Sequence, residues 1–213
     1  MTQNIDYIAF VNGMIQTIVG HPLDSLKTWK QSNLKLSYSI KNLYRGLSYP
    51  LLTNSILNHV QFNIMGNKKN PDYINYLYTG IFSGLFLAPI EYFKIRKQNN
   101  LKIFFPNGIG FSLAREIPGV LIYFGTLRNF KYYTNIDSEL ITGGVAGTLS
   151  WFFTYPLDTI KTRIQADVPF KKAIKLPYYN GFTYCLTRAF IANSLGYYCY
   201  VKLNSLIKNK NIC

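Results

Sequence analysis

The 213-residue chain predicts an all-α membrane protein made of three copies of one helix–loop–helix unit, and three observations carry that expectation. Hydrophobic residues make up 48% of the chain and charged residues 15%, fewer charges than a soluble domain carries. No window holds twenty uninterrupted apolar residues, because Gly, Pro, Asn, Gln and single charges break every run. That pattern suits helices packed among other helices in a bilayer, with one face toward a wet interior. The third observation is a motif that returns at a fixed period.

The stretch GHPLDSLKTWKQ, residues 20–31, recurs as APIEYFKIRKQ and YPLDTIKTRIQ, with Pro22, Pro89 and Pro156 standing 67 residues apart at each step. Five positions hold in all three copies: the proline, a glycine nine before it (Gly13, Gly80, Gly147), an acid two after (Asp24, Glu91, Asp158), a lysine five after (Lys27, Lys94, Lys161) and a glutamine nine after (Gln31, Gln98, Gln165). Such agreement marks a triplicated unit. The second half of each unit aligns on Gly46, Gly108 and Gly181, with Thr53, Arg115 and Arg188 seven later and Phe62, Phe124 and Tyr197 sixteen later. The chain is therefore one domain, 1–213, of three repeats at about 1–70, 71–135 and 136–213.

Six helices follow in order. Helix 5–31 carries Pro22, which removes a backbone hydrogen bond and kinks it, with Asp24 and Lys27 on one face. Helix 46–66 is polar through Thr53, Asn54, Asn58, His59, Gln61 and Asn63, side chains suited to lining water or to bonding between helices. Helix 72–99 repeats the proline device and adds Gly80-x-x-x-Gly84, which permits close helix approach. Helix 109–131 bears the adjacent charges Arg115 and Glu116. Helix 138–165 holds Gly143-x-x-x-Gly147 and the third proline, and helix 181–203 holds Arg188 in register with Arg115. Around a threefold axis, each signature acid can meet a neighbour's lysine, closing one end of a barrel with three ion pairs. Buried pairs roughly break even against desolvation, so such a ring suits a gate better than a brace.

Other classes find little support. A net charge of +14 attracts phosphate, yet the basic residues form no tract and no zinc-finger or RNA-binding signature is present, so no nucleic-acid partner is expected. Cys185, Cys199 and Cys213 lack CxxC spacing and read as reduced thiols, with no metal or cofactor motif. The opening MTQNIDYIAF has neither a secretory n-region nor transit-peptide character. Two histidines and no activated nucleophile argue against an enzyme.

Three copies of Pro-x-[Asp/Glu]-x-x-[Lys/Arg]-x-[Lys/Arg] resemble the signature of the mitochondrial carrier family across essentially the whole chain. The copies at Pro89–Arg96 and Pro156–Arg163 fit fully, and the first places Trp29 at the last basic position. Tyr44-Arg45-Gly46 is similar to the family's aromatic–basic–glycine element. The resemblance implies six transmembrane helices in a threefold pseudosymmetric bundle with kinked odd-numbered helices, monomeric, in the mitochondrial inner membrane (a host's, if the source is a virus or parasite). It implies alternating access, with Asp24, Lys27, Glu91, Lys94, Asp158 and Lys161 as matrix gate and Gln31, Gln98 and Gln165 as its brace. Of 23 basic residues, 14 fall on the signature side, in keeping with a positive matrix face that offers cardiolipin head groups a surface.

Two departures stand out. From signature proline to the next anchor glycine the chain spends 24, 19 and 25 residues, fewer than family members usually do. At the other end the family's acids are replaced by Gly66, Arg128 and Val201, leaving Lys69 and Lys131. That end closes either by packing of Met65, Leu127 and Tyr200 or only weakly.

For the solute, Arg115, Glu116 and Arg188 sit at the family's contact levels, with His21, Thr53 and Asn54 as further candidates. The stretches REIPGVLIYFG and RAFIAN are similar to ornithine- and carnitine-type members. An Arg–Glu pair can hold both ends of a zwitterion, so an amino-acid- or carnitine-like solute is expected. Leu57, where ornithine-type members place an acid, weighs against a dication. The alternatives are a nucleotide or other phosphorylated anion clamped by Arg115 and Arg188, and a non-transporting scaffold of the same fold.

Overall fold

A computed structural model describes residues 2–31, 39–44, 46–65, 72–98, 102, 109–165, 168–175, 177–179 and 181–210. Among these residues the protein is all α-helical, with six long helices and two short ones. The long ones are α1 (Thr2–Gln31), α3 (Ser48–Met65), α4 (Asp72–Gln98), α5 (Ile109–Thr134), α6 (Glu139–Gln165) and α8 (Phe182–Lys210). They match the six expected helices to within a few residues at most ends; α5 runs three residues longer and α8 seven. The single turns α2 (Ile40–Leu43) and α7 (Phe170–Ala173) lie between α1 and α3 and between α6 and α8.

Each long helix packs on its sequence neighbours, and α8 packs back on α1, so the six form a closed ring. Small residues set the helix spacing. A Cβ on Gly13 would stand 2.6 Å from the Ser55 Cα on α3, one on Gly80 2.8 Å from the Ile117 Cα on α5, and one on Gly143 2.5 Å from the Asn193 carbonyl oxygen on α8. Each odd helix of a repeat thus lies directly against the backbone of its even partner, as the small-residue motifs foretold.

Pro22, Pro89 and Pro156 lie inside α1, α4 and α6, and Pro118 inside α5. Each proline denies a hydrogen bond to the carbonyl four residues earlier, which for the signature prolines belongs to Ile18, Leu85 and Phe152. All three are exposed, so the weakened side of each odd helix faces outward. Of the anchor glycines, Gly46 and Gly181 have φ of +82° and +79°, a left-handed turn into the even helix that an L side chain resists; Gly108 lies outside the described residues.

No helix among the described residues is both long and apolar enough to cross a membrane by its own composition. The physical reason is the interior face, where Asn12, Asn75, Thr79, Ser83, Ser112 and Lys161 are buried, while Leu52, Leu77, Leu85, Phe153 and Phe190 are exposed. The chain places polar groups inside and large apolar side chains outside, the reverse of a water-soluble core.

Candidate functional site

The charged residues singled out by the sequence come together inside the ring, in an arrangement richer than three acid–lysine pairs. Glu91 on α4 accepts from the ammonium of Lys161 on α6, and Lys161 is only 1% exposed. The pair joins the acid of the second signature copy to the lysine of the third. The side chains of Lys27, Lys94, Gln31 and Gln98, and with them the other two expected acid–lysine pairs, lie outside the described residues. Gln165 is buried, and its amide oxygen and nitrogen have no partner among the described residues.

The two arginines reach the signature acids as well. Arg115 pairs with its neighbour Glu116, and the same guanidinium stands 3.5 Å from Glu91 and 3.5 Å from Asp158. It therefore joins α5 to both α4 and α6. Arg188 on α8 donates from Nε to the Asp24 carboxylate on α1 at 2.6 Å. A residue in register with another along a helix need not share its partners, and here each long guanidinium reaches signature acids of different helices.

Trp151 lies under both arginines, 5.2 Å from the Arg115 guanidinium carbon and 5.8 Å from that of Arg188, within cation–π range. Trp151 is not among the candidates named from the sequence. The signal was present in the repeat: one period back stands Gly84 and two periods back Thr17, so the third copy alone puts a large ring at this register. An asymmetric solute needs such a break in threefold symmetry.

The remaining candidates sit at the edge of this cluster. His21 is buried, with Nδ1 3.4 Å from the Ser25 hydroxyl and its ring edge-on to Tyr44; Nε2 has no partner among the described residues. Asn54 donates to the Thr17 hydroxyl at 3.1 Å, a bond from α3 to α1, and Gln61 donates to Ser83 on α4 at 2.8 Å. The Thr53 hydroxyl reaches the Pro50 carbonyl at 3.4 Å. The interhelical reading of the polar α3 face thus holds for Asn54 and Gln61.

Chemically, the site holds four carboxylates (Asp24, Glu91, Glu116, Asp158) against the three described cations Arg115, Arg188 and Lys161, with an indole face between them. Arg115 is shared among Glu91, Glu116 and Asp158, so each of these carboxylates has a cation nearby while the described set carries one more acid than base.

A sequence profile of the family described as "Mitochondrial carrier protein" matches residues 134–177, a segment that contains the third signature copy. The chain is 25% identical to "Mitochondrial ornithine transporter 1" of Schizosaccharomyces pombe over 89% of its own length and 88% of that protein. It is 26% identical to "Mitochondrial arginine transporter BAC2" of Arabidopsis thaliana, over 88% of this chain and 86% of that one. It is also 26% identical to the "Mitochondrial basic amino acids transporter" of Mus musculus, over 88% and 78%.

Proposed function

We propose, on the premise that this chain belongs to the mitochondrial carrier family, that it carries a zwitterionic, amino-acid-type solute with a cationic side chain across the mitochondrial inner membrane. The observation that carries this reading is the double engagement of Arg115 and Arg188, each bound to carboxylates on one side and to Trp151 on the other.

A solute carboxylate competes with Asp24 for Arg188, or with Glu91 and Asp158 for Arg115, by a charge-assisted bidentate contact. The acids so released face the solute's cation, and the indole vacated by a guanidinium gives that cation a π face. One set of ion pairs is exchanged for another, so the desolvation cost of buried charge is met at every step. A phosphorylated anion fares worse, because it brings negative charge to a place already holding four carboxylates and would free them without a cation to receive them. Loosening the Glu91–Arg115 and Asp158–Arg115 contacts also weakens the closure at the signature end. Solute binding and gate opening thus draw on the same side chains. The transporters of ornithine, arginine and basic amino acids among its relatives fit such a solute; Leu57 offers it no acid on α3, and Glu91, Glu116 and Asp158 supply carboxylates for its second cation instead.

The six long helices are the membrane spans. Helices of 26 to 30 residues rise about 40 Å, enough for a hydrocarbon layer of about 30 Å, while the 18 residues of α3 rise about 27 Å, close to that thickness. Their outward leucines and phenylalanines face lipid, and their polar faces line the passage.

The test is a thermal-shift series on the purified, detergent-solubilised chain with ornithine, arginine, lysine, carnitine and a nucleoside triphosphate, since a ligand of the folded state raises its apparent stability by mass action. Cationic amino acids are expected to raise the midpoint, and Arg188→Ala to abolish the rise. A shift with the nucleotide alone overturns the solute class. No shift with any compound, from a folded preparation, overturns transport in favour of a scaffold.

A further inference from the structure

The end of the ring opposite the signature prolines lacks the acids of an ionic closure, and a different structure occupies it. Phe62 near the end of α3 and Phe124 in the second half of α5 are both 7% exposed and meet edge to face, with centroids 5.6 Å apart. Phe62 also lies 4.2 Å from the Tyr200 ring on α8, and Phe124 stacks on Tyr76 of α4 at 6.3 Å. Ala9 on α1 and Val120 complete the buried centre, with Met65, Tyr123 and Leu127 packed around it. Five of the six long helices contribute to this knot. The sixth, α6, brings Gly143 to the register of Ala9 and Tyr76, where a Cβ would strike the Tyr197 Cβ at 2.6 Å.

The charges at this end lie elsewhere. Arg128, at one of the missing acid positions, turns to Asp72 of the adjacent α4, and Lys131 pairs with Asp137 just beyond its own helix at 2.5 Å; both pairs are exposed. Neither spans the mouth. Below the knot, toward the arginines, the Gln16 side chain of α1 hydrogen-bonds the Tyr123 hydroxyl of α5 across the interior.

We propose that Phe62, Phe124 and Tyr200 are the gate residues of this end, an aromatic plug that takes the place of an ion-pair ring. The proposal rests on the carrier reading, since a gate has meaning only where something passes. Aromatic contacts of this kind are non-directional enough to reseal after parting and carry no charge for a solute to compete with. The two ends of the passage therefore open by different chemistry: the signature end yields to a charged solute, and the plug yields to helix movement.

The experiment uses the full chain in detergent with Cys185→Ser, Cys199→Ser and Cys213→Ser, and Gln16→Cys as the single reporter beneath the plug. The probe is a sulfonated maleimide. The reporter is expected to label slowly in this parent, to label about tenfold faster with Phe62→Ala/Tyr200→Ala, as loss of two aromatic contacts implies, and to stay slow with Phe62→Leu/Tyr200→Leu. Tyr200→Ala alone, at a half-buried ring, is the milder variant, with a smaller rise expected should the double variant fail to fold. Protection unchanged in a variant that keeps its helicity and monodispersity overturns the plug. The lysine- or ornithine-dependent thermal shift is measured on the same parent: its loss with the labelling pattern intact counts against the solute reading alone, and its persistence with protection unchanged counts against the plug alone.

Discussion

Arg188 Nε and Asp24 Oδ1 lie 2.6 Å apart, joining the last long helix of the ring to the first. The pair is partly exposed, so its stability contribution is that of a screened contact, about 0.5–1 kcal/mol, falling as salt is added. A double-mutant cycle of Arg188→Gln and Asp24→Asn in denaturant titrations at low and high salt measures it. A coupling of several kcal/mol that ignores salt would show the pair to be a structural lock rather than an exchangeable contact.

The Glu91–Lys161 pair should behave differently, because Lys161 is buried. Glu91→Gln strands a buried ammonium and is expected to cost about 3–5 kcal/mol, whereas Glu91→Leu/Lys161→Met removes both charges and recovers most of that loss. Thermal unfolding of the two variants checks the order. The double variant should nonetheless lose solute exchange in proteoliposomes, since its closure no longer responds to charge.

Helix contact at Gly143 admits no side chain. Gly143→Ala places a methyl 2.5 Å from the Asn193 carbonyl oxygen and is expected to destabilise by about 1–3 kcal/mol. Gly110, the second residue of α5 with nothing within 4 Å of a built Cβ, gives the opposite sign: Gly110→Ala should stabilise slightly, by up to about 0.5 kcal/mol, because the unfolded chain loses freedom and the first turn gains a better helix former. Equal effects at the two sites would contradict the packing described for α6 and α8.

Trp151 offers an optical readout. With Trp29→Phe it is the sole tryptophan, and its emission should change as arginine or lysine draws the two guanidiniums from its ring. Trp151→Ala is expected to weaken binding about three- to thirtyfold and Trp151→Phe less, in line with a cation–π contribution of about 0.5–2 kcal/mol. Emission that saturating lysine leaves unchanged, alongside a normal thermal shift, would place the solute elsewhere.

Much of the fold was legible because the repeat checks itself. Proline, acid, lysine and glutamine at one spacing in three copies locate three helices, and the anchor glycines locate the starts of the others. The two short turns α2 and α7 were not legible from periodicity, since four residues are too few to show a period; only the family resemblance implied short helices in these links. In the site, residue levels were readable but partners were not. Sequence register fixes height along a helix, while the reach of Arg115 to Glu91 and Asp158 depends on inter-helix angles set by glycine contacts. The third signature copy hid another role. Arg163 donates to the Ala173 carbonyl at 2.7 Å and to that of Pro177, tying down the link from α6 to α8; Trp29, at its register in the first copy, lacks a guanidinium for this.

That tie leads to a further expectation. Arg163→Met should leave the helix bundle intact but hasten trypsin cleavage at Lys171, Lys172 or Lys175, because two carbonyls of the connection lose their donor. Limited proteolysis followed by mass spectrometry reads the site. Unaltered cleavage would show that Thr159, which donates to the Tyr178 carbonyl at 2.8 Å, holds the connection alone.

The packing of α8 on α1 has a kinetic consequence. Contacts within each repeat span a few tens of residues, but the seam between α1 and α8 joins segments at opposite ends of the chain, so its loop-closure entropy is met last and in one step. Until then the polar interior faces of the six helices are open along that seam. The late species in assembly is therefore a horseshoe rather than a loosened ring, and a chaperone or membrane insertase acting on this chain would meet it in that form.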